Sequence, residues 1–253
     1  MDSFSLLVRN LDLDSLMTDK LSVIIFDVDG VLVDTRGSYQ RTTLETVRQL
    51  TSKRVTRSEL HRWKNRPGFN DDWKLSHAWV RELGTDLDYE QVKRRFVEIY
   101  WGKNGRDGNV RREKWLLSPR VLKRISKIAP IAVFTGRIGR ELDYSLDRWK
   151  VRDCFERVVT VEDVSKPKPN PEGLIKILAG RKPLTALYVG DNIDDALAAK
   201  AAKIPFVGVL PRRSWERRHR GRRLKDLGAL TILGEISELE NWLKKYAGVR
   251  LHS

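Results

Sequence analysis

Asp27 and Asp29 lie two positions apart in Phe26-Asp27-Val28-Asp29-Gly30-Val31, directly after the apolar run Val23-Ile24-Ile25-Phe26. Two ionised acids so close raise one another's pKa unless a cation or hydrogen-bond donors offset them. Thr135-Gly136-Arg137 ends a second apolar run, residues 131–134. It offers a hydroxyl and adjacent backbone N–H groups of the kind that bind phosphate, with Arg137 facing either that phosphate or solvent. Gly190-Asp191-Asn192-Ile193-Asp194-Asp195 ends a third run, and before it comes Ser165-Lys166-Pro167-Lys168-Pro169-Asn170-Pro171. Prolines favour a stiff, extended loop that holds a lysine head in place. Lys166 is favoured for that task, with Lys168 as its rival. Hard carboxylate oxygens beside a phosphate oxygen suit Mg²⁺. The four histidines show no pair at ligand spacing, and the single cysteine, Cys154, excludes a cysteine-based zinc site.

Three of these clusters follow a short apolar run with the length and β-branched content of a buried strand. Strands are predicted at 22–26, 131–134, 157–160, 186–189 and 205–209, with helices at 121–128, 140–149, 171–179 and 194–202. That alternation predicts an α/β fold, a Rossmann-like parallel sheet core with helices on both faces. In such sheets ligands bind at the carboxyl ends of strands, where the acids and Thr135 fall. Between residues 38 and 117 no strand is predicted, only helices at 39–50, 56–64, 71–82 and 89–100. Trp63, Trp73, Trp79 and Trp101 read as the core of that small bundle. The expected organisation is an N-terminal extension (1–20), a core (21–37 and 118–253) and a helical insert (38–117) that follows the first acid-bearing strand.

An acid pair, a strand-end hydroxyl, a lysine among prolines and a strand-end acid cluster, in this order, resemble the four motifs of the haloacid dehalogenase-like superfamily. The resemblance runs from about residue 23 to 209 and points to subfamily I, whose C1-type helical cap is inserted at this place. It implies that Asp27 is the nucleophile, forming an aspartyl-phosphate that water later cleaves. Asp29 is then the general acid that protonates the leaving alcohol and afterwards activates water. The dehalogenases of the superfamily lack this second acid, so Asp29 indicates phosphoryl chemistry. By the same resemblance Thr135 and Gly136 bind phosphate, and Lys166 neutralises phosphate and aspartate. Asp27, the carbonyl of Asp29, Asp191 and Asp195 hold Mg²⁺, with Asp194 a near-equal alternative to Asp195. A Mg²⁺-dependent phosphatase of a small phosphorylated metabolite is the expected function. A phosphomutase needs the same motifs, and a nucleic-acid- or protein-binding module on an inactive core is the reading from another class.

The loop Asn65-Arg66-Pro67-Gly68-Phe69-Asn70-Asp71-Asp72-Trp73-Lys74 is either a connector or the tip of the cap. In the second case Arg66, Asn70 and Lys74 are the candidate substrate contacts. Hydrophobic content of 40% with 33% charged residues fits a globular protein, and no run is long enough to span a membrane. Acids among the first leucines are unlike a signal peptide, so cytoplasmic residence is expected. The net charge is +15, and nearly half comes from residues 211–225, with seven arginines and a lysine against one glutamate. That run follows the last predicted core strand, and Trp215 is its only aromatic. It lacks the stacking platforms of single-strand binders, so no specific nucleic acid is expected as partner.

Overall fold

The computed structural model describes residues 21–64, 66, 69, 71–105, 107–212 and 217–246; the expected extension 1–20 and Asn70 lie outside them. The chain forms two compact units, Met1–Val33 with Trp115–Ser253, and Asp34–Lys114.

The first unit is built on six parallel strands: β1 (Val23–Phe26), β4 (Ile131–Phe134), β5 (Arg157–Val159), β6 (Ala186–Gly190), β7 (Phe206–Val209) and β8 (Ala229–Leu233). Their order is β5-β4-β1-β6-β7-β8. A second, two-stranded sheet pairs β2 (Val33–Asp34) with β3 (Lys114–Trp115). All four residues of β1 are buried, as in a strand covered on both faces. Its side chains alternate: Ile24 and Phe26 enter one apolar cluster, Val23 and Ile25 another. The first cluster takes Leu122 and Ile125 from α5 (Pro119–Ile128), Leu142 and Leu146 from α6 (Gly139–Arg148), and Leu239 and Leu243 from α10 (Leu239–Tyr246). The second takes Leu174 and Ile177 from α7 (Glu172–Leu178), the alanines of α8 (Ile193–Ala202), and Leu224 from α9 (Arg217–Asp226). Helices therefore cover both faces of the sheet.

The expected final strand at 205–209 is not the last. β8 adds parallel to β7, with Val207 opposite Thr231 and Val209 opposite Leu233. Its apolar run between Gly228 and Gly234 is a strand signal, but its first four residues are only half-buried because it lies at the sheet edge.

The second unit contains α1 (Tyr39–Thr51), α2 (Arg57–Lys64), α3 (Asp72–Glu82) and α4 (Tyr89–Trp101). Side-chain caps fix two of the starts. Asp71 accepts from Trp73 N and Lys74 N, and Asp88 forms a reciprocal capping box with Gln91. Leu44, Val47, Leu60, Trp63, Leu75, Trp79 and Val92 form its core. Trp101 is buried as well, while Trp73 is half-buried beneath the ammonium of Lys93, 4.6 Å from the ring centroid. No helix among the described residues is long and apolar enough to cross a membrane.

Candidate active site

β1 is flanked by β4 on one side and β6 on the other, so the strand order changes direction there. Crevices beyond the carboxyl ends of strands at such a point are where open α/β sheets bind ligands. Asp27 leaves β1 with its N–H still bonded to Val189 O (2.9 Å) and its side chain only 9% exposed. Gly30 follows at φ +78°, where a side chain would be strained and would also collide with the Asp191 carboxylate. Glycine is therefore what lets the first and last motifs touch.

Asp27, Asp191 and Asp195 offer carboxylate oxygens that all lie within 4.8 Å of one another. The lysine that reaches them is Lys168, not Lys166: its Nζ donates to Asp27 Oδ1 at 2.7 Å and Asp195 Oδ1 at 2.8 Å. Lys166 is exposed, and what holds it is its backbone, whose N–H donates to Glu172 Oε2 (3.1 Å) in the first turn of α7. The same carboxylate takes the N–H of Ser165, so the chain bends at 165–166 and turns Lys168 inward two residues later. Both lysines precede a proline; only Lys168 lies within four residues of the helix that orients the loop.

Asp195 is almost fully buried and is saturated with donors. Oδ1 accepts from Lys168 and from Tyr188 Oη (2.7 Å); Oδ2 accepts from Asp191 N (3.2 Å) and Asn192 N (3.1 Å). It also completes the capping box that starts α8. Asp194 is outside the three-acid group, and its N–H faces Asn192 Oδ1 at 3.4 Å.

The electrostatics follow from this crowding. Burial, then the neighbouring acids Asp195, Asp29 and Asp191, push Asp27 well above the usual carboxylate range, with the Lys168 charge opposing them. Burial alone would push Lys168 down, but the charges of Asp195 and Asp27 outweigh it and raise its pKa. Asp191 is raised to about 7 chiefly by burial, although 23% of its side chain reaches solvent, and Arg220 opposes the rise. Burial and the charge of Asp195 raise Tyr188 far above its usual value, which keeps its hydroxyl a donor.

Arg137 does not face solvent. Its guanidinium, 0% exposed, binds Asp29 Oδ1 through Nε (2.8 Å) and Nη2 (2.7 Å), and Ser145 Oγ through Nη1 (2.9 Å). An arginine deep in the protein needs such a paired carboxylate, and Asp29 is the acid within reach. Thr135 ends β4, buried, with its N–H on Val159 O (3.0 Å) and its Oγ1 accepting from Arg137 N (3.2 Å); Gly136 is exposed beside it. In the helical unit, Arg66 lies 4.0 Å over the Trp63 ring and 3.1 Å from Glu82, and Lys74 is 4.0 Å from Asp71. Sequence reasoning missed Tyr188, Ser145 and Arg220. Tyr188 was hidden inside an apolar strand and Arg220 inside a run of arginines.

A family model described as haloacid dehalogenase-like hydrolase matches residues 24–209. An imidazoleglycerol-phosphate dehydratase of Phytophthora nicotianae is 26% identical over 242 residues, 88% of this chain but 53% of that protein. The chain thus spans about half the length of that relative. Pyrophosphatase PpaX of Anoxybacillus flavithermus is 27% identical over 192 residues, 75% of this chain and 83% of that protein. The crystal structure of a predicted phosphoglycolate phosphatase from Haemophilus somnus superposes with a TM-score of 0.70 at 17% identity, covering 88% of this chain and 98% of that one.

Proposed function

The chain belongs to the haloacid dehalogenase-like hydrolases, and on that premise we propose that it is a Mg²⁺-dependent phosphatase of small phosphate esters, acting through an aspartyl-phosphate on Asp27. The observation that carries this reading is the ammonium of Lys168 clamped between Asp27 and Asp195 beside Asp191. Lys168 occupies Oδ1 of Asp27; among the described residues Oδ2 accepts no hydrogen bond and is the oxygen suited to attack phosphorus. Burial makes that carboxylate more basic, and the Lys168 charge opposes its protonation.

Asp29, 39% exposed, is oriented by the buried Arg137 and can carry a proton to the departing alkoxide and then take one from water. Thr135 and the backbone at Gly136 are suited to the phosphoryl oxygens. Asp27 and Asp191, with the Asp29 carbonyl, would hold Mg²⁺, which neutralises phosphoryl charge when bound. Asp195 has every lone pair engaged, so it suits holding Lys168 and the Asp191 loop better than direct ligation. Asn70, Arg66 and Lys74 remain the residues of the helical unit assigned to the leaving group.

The test is phosphate release from a panel of monoesters and pyrophosphate, with Mg²⁺ and with chelator. Asp27→Asn should abolish turnover, while Asp29→Asn should slow it by about 10²–10⁴-fold. A base-labile phosphoprotein should be trapped in the wild type. Full activity of Asp27→Asn, or undiminished activity in chelator, refutes the reading.

A further inference from the structure

The described second half of the basic run that the sequence left without a task forms α9, and its residues divide by face. Leu224 is fully buried, and Gly221 packs toward Leu210 and Ile232. Arg217 binds the carbonyls of Leu210, Ile232 (3.3 Å) and Leu233 (3.4 Å) at the ends of β7 and β8. Positions 217, 221 and 224 follow helical spacing and fix one face of α9 against the sheet. Arg222, Arg223 and Lys225 are exposed on the other side. Arg220 lies beside the fixed face, and its Nη1 stands 3.8 Å from Asp191 Oδ2. Only 24% of the arginine side chain and 23% of the aspartate side chain are exposed, so solvent screens this pair less than a surface pair. A guanidinium anchored by its own helix thus sits against the carboxylate that closes the three-acid group.

We propose that Arg220 is a stand-in cation for Asp191, competing with the divalent metal for that carboxylate and so setting how tightly the site is loaded. This rests on the metal-dependent reading above. A divalent ion on Asp191 and a guanidinium a few ångströms away repel each other, so loading must push Arg220 aside or bear that repulsion. The coupling is reciprocal: what weakens the arginine's hold strengthens the metal's. Arg220 is a positioning residue in this account, because it acts through Asp191.

The experiment is calorimetric titration of the full chain with MgCl₂, at about pH 8.5 so that Asp191 is ionised throughout. Arg220→Gln should bind Mg²⁺ roughly tenfold more tightly than the wild type. Arg220→Lys, which keeps the charge, should stay within about threefold, and the difference between wild type and Arg220→Gln should shrink as salt is raised. Arg222→Gln removes an exposed charge of the same helix and should leave the affinity unchanged, which separates local repulsion from net charge. A second readout needs no variant: the Arg220 Nε–H resonance should shift and exchange faster with water as Mg²⁺ saturates the protein. Equal or weaker Mg²⁺ binding by Arg220→Gln, or an Arg220 resonance indifferent to Mg²⁺, overturns this inference alone. A wild type that binds no divalent ion overturns the metal reading and this inference with it.

Discussion

Replacing Lys168 by methionine keeps an unbranched apolar side chain but removes the ammonium that lies over the rings of Phe134 and Tyr188 and bridges Asp27 and Asp195. The lysine side chain is 12% exposed, and its two partners 9% and 2%, so this is a buried ion cluster. Removing one partner of such a cluster costs about 3–5 kcal/mol, since the remaining charges lose their compensation. For a chain of this size that is roughly 6–20 °C in Tm. The cost must depend on pH. Burial already holds Asp27 above its unfolded pKa, and without Lys168 it rises further. A carboxyl raised in this way contributes stability that is fully present below its unfolded pKa and is lost as pH rises through the folded value. Lys168→Met should therefore be weakest at alkaline pH and recover as pH falls and Asp27 takes up its proton. Thermal unfolding of metal-free protein as a function of pH measures it, and turnover should fall by about 10²–10³-fold. Lys166→Ala is the control: exposed and held only by its backbone, it should stay within about 0.5 kcal/mol of wild type. A Lys168→Met deficit that does not vary with pH, or an equal loss in Lys166→Ala, would refute the reasoning.

Asp191, raised to about 7, must be ionised to take a metal, so Mg²⁺ affinity should fall toward tenfold per pH unit below about 7. Calorimetry at several pH values checks this, and metal-free protein should gain stability as pH drops through the same window. Lys74→Ala should change the ratio of kcat/KM between sugar phosphates and a minimal aromatic phosphate, because the latter offers few polar groups to read. A uniform loss on every ester would point to a folding defect instead. DNA and RNA oligomers should bind weakly at low ionic strength and largely dissociate at physiological salt, as charge alone dictates. Tight or sequence-selective binding that survives salt would give the exposed Arg222 and Arg223 a partner.

Where apolar period and turn residues agreed, the sequence was legible. β1 and β4 fall on their apolar runs, and the helices of the insert begin and end within about two residues of their patterns. Asp27 and Asp191 were singled out for the same reason, since each lies just beyond the end of a buried strand, whereas Asp195, weighed against Asp194, sits in the first turn of α8. Legibility failed where partners come from distant parts of the chain. Two lysines in near-identical proline contexts cannot be told apart locally; the Glu172 carboxylate that bends the loop decides between them. Arg137 was left between phosphate and solvent because nothing in its own motif announces Asp29, 108 residues away. β8 was missed although its run, Ala229-Leu230-Thr231-Ile232-Leu233, is almost wholly apolar.

Arg220 and the acids it faces belong to parts of the sheet that differ in mechanical depth. Asp27, Thr135 and Asp191 extend from β1, β4 and β6, each of which has a strand on either side. Opening those strands amounts to unfolding the sheet, so their amides should exchange with deuterium only through global opening. α9 instead lies against β8, the outermost strand, whose release breaks a single ladder. Fraying at that border would withdraw the arginine while leaving the carboxylates in place. The three-acid group and the arginine beside it would then report two different opening energies within one chain.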